Sequence, residues 1–596
     1  MLKIKQYNYN IIKIIPIFMI IVFTPLIVFL KKRTLLEVTS LYWVESYNLD
    51  FFSYYKMVWL LSWTLILLFF FWREARKKKL KSRVQFIFLA VYLIMIILST
   101  IFSDFQYVSQ IGFPDRYEGM PVLISYLIIM LASYFLINSK KQLEILINGL
   151  FVSTSIIALI GIYQFFGYDF FRSIIGRNLV LPDQMTQLAE SMTFNFGENI
   201  IYSTLYNPNY VGSYFSMLLL FSLVYYIMQE KREKQFLYGF VVSLIFAAWI
   251  GSMSRAGMVG GLFAFLFLLI IMYKEIIKKW KSILVLFILL FLIAFGMNYQ
   301  SQGKVFGEFL SFGKETEMAL KGEEDLDLKI KKIVTSENKL IYNTKDFKLL
   351  VEKDNANHKS NLSFYNGENK QILALERNQN GYIEVQNPDF ELLKMRFDPK
   401  RNSLLIKYGN KRAVFLINEQ GFWIMGLKGG AYRVEEVERW GFENKESFAT
   451  YRGYIWSRTI PLIKDTLLLG NGPDTYTFYF PQHDYIGKLN AFNLTTKIVD
   501  KPHNFYLQLA VNTGLISLIA VVLLFAYHTR ESLMIYFKRD YNDYFDYLGA
   551  AAFTAFTAYA AAALFNDSVV SVAPVFWFIL GIGVKLNYLN KQRQRG

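Results

Sequence analysis

The chain has 596 residues, of which 54% are hydrophobic, 18% aromatic and 19% charged, with no cysteine and a formal net charge of +17. Soluble domains carry roughly 25% charged and ~45–50% apolar residues, so a water-soluble domain is excluded and the surplus apolar surface requires a bilayer. Disulfide scaffolds, thiol catalysis and cysteine metal sites are excluded as well.

Apolar runs recur along the chain near the ~20 residues a helix needs to cross the hydrocarbon. They predict about twelve spans, at 12 to 30, 57 to 72, 84 to 103, 121 to 137, 143 to 163, 211 to 228, 236 to 252, 257 to 273, 282 to 298, 504 to 527, 547 to 565 and 569 to 588. The first run follows Lys3 and Lys5, has no small-residue cleavage site and precedes further spans, so it reads as a retained anchor. Basic residues fill alternate loops: Arg73 to Arg83, Lys140 and Lys141, Lys231 and Arg232, Lys274 to Lys281, Lys538 and Arg539, and Lys591 to Arg595. By the positive-inside rule these loops and both termini are cytoplasmic, which puts 299 to 503 outside; only Lys31, Lys32 and Arg33 oppose this. Much of the net charge is thus an orientation signal and an attraction to membrane lipids. No nucleic-acid motif or basic aromatic stripe accompanies it, so nucleic acid is not expected as a partner.

The expected fold is an all-α polytopic membrane protein with an inserted extracytoplasmic, mainly β domain. Its divisions are helices one to nine over 1 to 298, the insertion over 299 to 445, an outer amphipathic loop over 446 to 503, and helices ten to twelve over 504 to 596. Between about 336 and 438, alternating stretches are separated by Asn366-Gly367, Asn380-Gly381 and Gly409-Asn410, and Asn-Gly between β-prone runs is a hairpin signal. This domain has no nucleophile elbow, metal cluster or phosphate loop, and His358 reads as a surface residue.

Arg116, Arg172, Arg177, Arg255 and Arg452 lie on the expected outer side, where topology does not require them. Arg255 occupies a tight turn between two spans, where a guanidinium is costly without an anion. Arg116 has Glu118 two residues away as an internal partner, and Asn207-Pro208-Asn209 reads as a helix start. His503, in Lys501-Pro502-His503-Asn504 at the mouth of the tenth span, is the leading candidate for accepting a proton near neutral pH. Guanidinium forks match phosphate geometry, so these arginines with one histidine suit group transfer from a lipid-linked diphosphate.

The ordered motifs Arg116-Tyr117-Glu118-Gly119, Asn207-Pro208-Asn209, Ser254-Arg255-Ala256-Gly257, Arg452 with Trp456, Leu469-Gly470-Asn471-Gly472-Pro473, and His503-Asn504 with Leu507 and Gly514 resemble those of the O-antigen ligase and polymerase superfamily. The resemblance implies a GT-C-like enzyme of the cytoplasmic membrane that moves a glycan from undecaprenyl diphosphate to a glycan, lipid or protein acceptor. Such enzymes invert the anomeric centre and work at the outer face without metal or other cofactor. Carried onto this chain, Arg255 and Arg452 would hold the diphosphate and His503 would orient or deprotonate the acceptor. Arg116, Glu118, Asn207, Asn209 and Asn504 are the implied substrate contacts. The insertion is longer than the family's usual loop. A polymerase of the same family is the nearest alternative. A lipid-linked sugar flippase is the rival from another class, opposed by the near absence of charge inside the spans and of internal repeats.

Overall fold

The computed structural model describes residues 10–43, 45–76, 84–189, 197–321, 328–354, 361–367, 371–443 and 445–593. The apolar runs are helical, each forming one helix except the run at 504 to 527, which forms two. In chain order these are α1 (Ile15–Phe23), α2 (Tyr54–Ala75), α3 (Val84–Ile101), α4 (Met120–Leu136), α5 (Lys140–Phe165), α6 (Pro208–Met228), α7 (Arg232–Gly251), α8 (Arg255–Lys278) and α9 (Trp280–Gln300). After the inserted region come α13 (Phe505–Asn512), α14 (Leu515–Tyr536), α15 (Tyr544–Ala562) and α16 (Ala573–Arg593). Among the described residues, eight helices are long and apolar enough to cross a membrane: α2, α3, α5 to α9 and α14. Against the expected twelve, α4 is a shorter apolar helix, and so is the stretch Asn10–Leu26 that contains α1. The run at 504 to 527 is broken where Gly514 turns at φ +97°. Helices α15 and α16 are interleaved with Tyr, Thr, Asn and Gly and are buried almost throughout, because α4, α6, α8 and α14 surround them.

The loop that opposed the charge rule has its own structure. Lys31–Thr34 pairs antiparallel with Tyr47–Asp50, and its cations lie over rings: Lys31 over Tyr54, Lys32 over Tyr47, and Arg33 over Tyr107 and Tyr117. Aromatic faces attract cations by their quadrupole, so these three charges are held by local packing. The basic residues Lys77, Lys78, Lys79, Lys81 and Arg83, as well as His358, lie outside the described residues.

Helix α10 (Lys304–Lys321) leads into two antiparallel meanders, one of five strands over Ile330–Ile372 and one of seven over Leu375–Tyr432. Alternation puts Leu340, Tyr342, Leu349 and Val351 of the first sheet against Met395, Ile406, Phe415 and Phe422 of the second. Of the three expected hairpin pairs, only Gly381 and Gly409 take positive φ; their Asn neighbours do not, so these are not type I′ turns. Beyond α11 (Phe448–Thr459), helix α12 (Tyr485–Phe492) inserts Tyr485 and Leu489 into the same core. Its C-terminal carbonyls accept from Lys411 Nζ at 3.1 and 3.2 Å, a cation at the negative end of a helix. Asn490 exchanges two hydrogen bonds with the backbone of Ile330. The β domain is therefore fixed to the helical segment that leads to His503.

Helices α6 and α8 meet through Gly212 and Gly257, where a Cβ on Gly257 would stand 2.6 Å from the Gly212 Cα. Backbone cannot yield cheaply, and overpacking costs about 1–3 kcal/mol. Gly257→Ala is expected to lower the thermal midpoint in detergent by several degrees; an unchanged midpoint would show that the helices separate freely.

Candidate functional site

One end of the bundle, the end that carries the inserted region, gathers the heads of α6, α8, α11 and α13 with the loop between α15 and α16. His503 sits there at φ +51°, a left-handed conformation that a non-glycine residue holds only when its surroundings impose it. Those surroundings are specific. Trp456 Nε1 donates to the Pro502 carbonyl at 2.9 Å, and the Asn504 side chain caps α13 by accepting from Tyr506 and Leu507 N–H. The Asn504 N–H donates to Asp567 Oδ1, and Phe505 N–H donates to the carbonyls of Ala563 and Asn566.

The His503 Nδ1 lies 3.2 Å from Asp567 Oδ2; the carboxylate is fully buried while the imidazole keeps 30% exposure. Burial lowers the His503 pKa below its usual value, with Asp567 opposing and Arg452 and Lys501 adding to the effect. Burial also works against the Asp567 carboxylate, yet His503, Lys501 and Arg116 together hold it below the usual range. A neutral imidazole facing an ionised carboxylate carries its proton on Nδ1, which leaves the Nε2 lone pair to accept another.

Two cations, Arg452 and Lys501, act on this pair, and a third, Arg255, acts on Arg452. Arg452 is buried and, among the described residues, donates only to backbone carbonyls, from Nε to Phe565 at 3.0 Å and from Nη1 to Ala449 at 2.9 Å. It follows three consecutive left-handed residues, Ala449, Thr450 and Tyr451, which swing the chain into α11. Burial depresses its pKa; Asp567 opposes this and Arg255 adds to it, so the two guanidinium groups feel each other. Arg255, the first residue of α8 behind the Ser254 cap, is 18% exposed and pairs with Glu308 at 2.7 Å and Glu315 at 2.5 Å, both on α10. It also donates to Thr450 Oγ1 and Ser311 Oγ. Lys501 donates to the Tyr210 hydroxyl; burial would lower its ammonium, but Tyr210, Asp500 and Asp567 raise it above the usual value.

The remaining expected contacts are struts. Asn207 caps α6 by accepting from the Asn209 N–H. Asn209 accepts from Ser254 Oγ through its side chain and from Asn566 Nδ2 through its carbonyl, so one residue joins the neighbour of Arg255 to the neighbour of Asp567. Arg116 is buried and bridges Asp474 at 2.8 Å and Asp500 at 3.3 Å, so its ion-pair partners are these two aspartates and not the adjacent Glu118. Glu118 accepts from Tyr126 and Ser568 hydroxyls, and burial pushes its carboxyl up to about 7, with the Tyr126 bond opposing. Arg172 pairs within its own turn with Asp169, and Arg177 lies on the short helix Ile174–Val180.

Sequence reasoning missed Asp567, Lys501, Tyr210, Glu308 and Glu315. Asp567, between two nearly uncharged runs, was the detectable one, because a carboxylate there has to be paired.

A polytopic helical protein with a polar, cation-rich site at one end of its bundle is the class that the fold and the site define. Residues 412–522 match the O-antigen ligase family model, and this match supports membership of the O-antigen ligase superfamily of membrane ligases and polymerases. The matched span runs from the second β sheet through α12 and His503 into α14. No curated protein and no solved structure matches the chain.

The chain has four histidines, so ring resonances of histidine-labelled protein are assignable by substitution. The His503 ring is expected to be neutral at pH 7 and to titrate below ~6.5. Asp567→Asn removes the anion that favours the imidazolium and should move that titration lower still; a ring charged at pH 7, or one that rises on Asp567→Asn, contradicts the assignment.

Proposed function

We propose that the protein is a glycosyltransferase that moves a glycan from undecaprenyl diphosphate to an acceptor hydroxyl, at the outer face of the cytoplasmic membrane and with both termini inside. The reading is carried by one observation: a His503–Asp567 pair feels the charges of Arg452 and Lys501, and Arg452 that of Arg255, at one end of a bundle of apolar helices.

In this reaction the acceptor oxygen attacks the anomeric carbon on the side opposite the diphosphate. The carbon–oxygen bond to phosphate breaks, and its electron pair leaves on the diphosphate. The acceptor proton passes to Nε2 of His503, whose imidazolium is stabilised by Asp567. Among the described residues Arg452 uses two of its donors on carbonyls, and the rest of its fork serves the developing phosphate charge. Fixed cations in a low-dielectric site stabilise such charge without reorganising. No metal is needed to neutralise the leaving group where guanidinium and ammonium groups do so. Asn207, Asn209, Asn504 and Arg116 act as positioning residues, and Glu118 supports the same wall.

Arg255 differs from Arg452 in already holding two carboxylates. A diphosphate reaching it competes with Glu308 and Glu315, so α10 shifts as the donor binds. Whether the acceptor is another carrier or the growing chain itself separates ligase from polymerase, and the chemistry of the site is common to both.

His503→Ala and Arg452→Ala should each lower kcat/KM for glycan transfer by about 100-fold or more, the scale of losing a preorganised charge or a general base. Transfer at the wild-type rate by both variants would refute the site. The double change Glu308→Gln and Glu315→Gln should lower the KM for the lipid diphosphate several-fold; a raised KM would mean that the carboxylates hold Arg255 in its working position.

A further inference from the structure

A second cleft, of about 540 Å³, opens between the loop at Leu41 and Tyr42, the turn at 427–432 of the β domain, and the segment 478–485. That volume lies within the range of small-molecule sites. Its walls are mainly aromatic. Phe478 stacks on Phe105 with centroids 4.0 Å apart and meets Tyr42 edge-on at 5.3 Å. Tyr432, 42% exposed on the opposite wall, leans on Tyr485 at 5.9 Å. The Tyr479 hydroxyl donates to Asp104 at 2.9 Å. The rings are therefore held in place before any ligand arrives, which spares the cost of ordering them on binding. Exposed Lys428 and His483 add polar groups at the rim.

Flat apolar ring faces bordered by hydroxyl, ammonium and imidazole groups match one chemical class in particular. A pyranose presents an apolar C–H face and a rim of hydroxyls, so it can stack on a ring while hydrogen bonding at its edge. An acyl or isoprenoid chain would need an aliphatic lining, and it would leave the rim groups unused.

The cleft is also coupled to the reacting centre. Gln482 Nε2 donates to the carbonyls of Thr477 and Val499, and its Oε1 accepts from the Val499 N–H. Thr477 Oγ1 in turn donates to the Asp500 carbonyl at 3.2 Å. The cleft wall is thus hydrogen bonded to the segment that runs through Lys501 to His503.

We propose that this cleft is a glycan-binding site, seating a saccharide unit of the substrate at a distance from the bond that reacts. The proposal rests on the glycosyltransferase reading for its substrate, but the binding itself does not require turnover.

The probe is the oligosaccharide released by mild acid from the surface polysaccharide of the cell that makes this protein. Its binding to the full-length, detergent-solubilised chain is measured by saturation-transfer NMR. Wild type and His503→Ala should bind it equally, Tyr42→Ala and Tyr432→Ala about tenfold more weakly, and Tyr432→Trp close to wild type. In transfer assays the two alanine variants should raise KM tenfold and leave kcat nearly unchanged. A raised KM for the lipid-linked donor assigns the cleft to the donor glycan, and a raised KM for the acceptor assigns it to the acceptor. Undiminished binding by both alanine variants with wild-type melting, or no binding by wild type, overturns the proposal. Loss of the transferase reading is a separate result: it would appear as full transfer by His503→Ala, with the binding data unaffected.

Discussion

Gathering cations at the head of an apolar bundle is the constraint on which the rest of this structure depends. Arg255, Arg452, Lys501 and Arg116 repel one another, and in a medium of low effective dielectric that repulsion is not screened as it is in water. Each is compensated differently. Arg116 is matched by Asp474 and Asp500, Arg255 by Glu308 and Glu315, and Lys501 by the field of Asp500 and Asp567. Of the four, Arg452 has backbone carbonyls and no carboxylate as its hydrogen-bond partners within the described residues. A buried guanidinium left in that state is what a binding site for an anion requires.

Holding these groups fixes the surrounding chain. The head of α6 is the central strut, because Asn209 and Gly212 touch the Ser254 turn on one side and Asn209 reaches Asn566 on the other. The inserted domain shares this framework: α10 supplies both carboxylate partners of Arg255, and α12 anchors the sheets to the segment before His503. An insertion at this position is therefore joined to the site at two points, and a change in its sheets can be felt at the cations.

Much of the fold was legible in the sequence because its signals are local. The apolar runs became helices, that at 504 to 527 as two, and the alternating stretches such as Leu404 to Tyr408 and Ala413 to Ile417 became strands. Span count was less legible, since α15 and α16 owe their burial to neighbouring helices and not to their own apolarity. His503 and Arg452 could be singled out by their isolation in polar turns. What sequence could not supply was partnership between residues far apart. Arg116 seemed matched to Glu118 by proximity along the chain, yet the backbone turns at Asp115 and Tyr117, both at positive φ, direct it to Asp474 and Asp500. The Asp567 contact joins residues 64 positions apart (567 − 503), and Glu308 and Glu315 reach Arg255 only because α10 folds back beside α8.

We propose that this cluster performs group transfer and not transport. The most direct test places purified protein in proteoliposomes with undecaprenyl-diphosphate glycan and candidate acceptors, and follows undecaprenyl diphosphate and glycosidic product together by mass spectrometry. The account predicts that the two appear in equal amounts. Passage of intact donor between leaflets, with neither product formed, would contradict it.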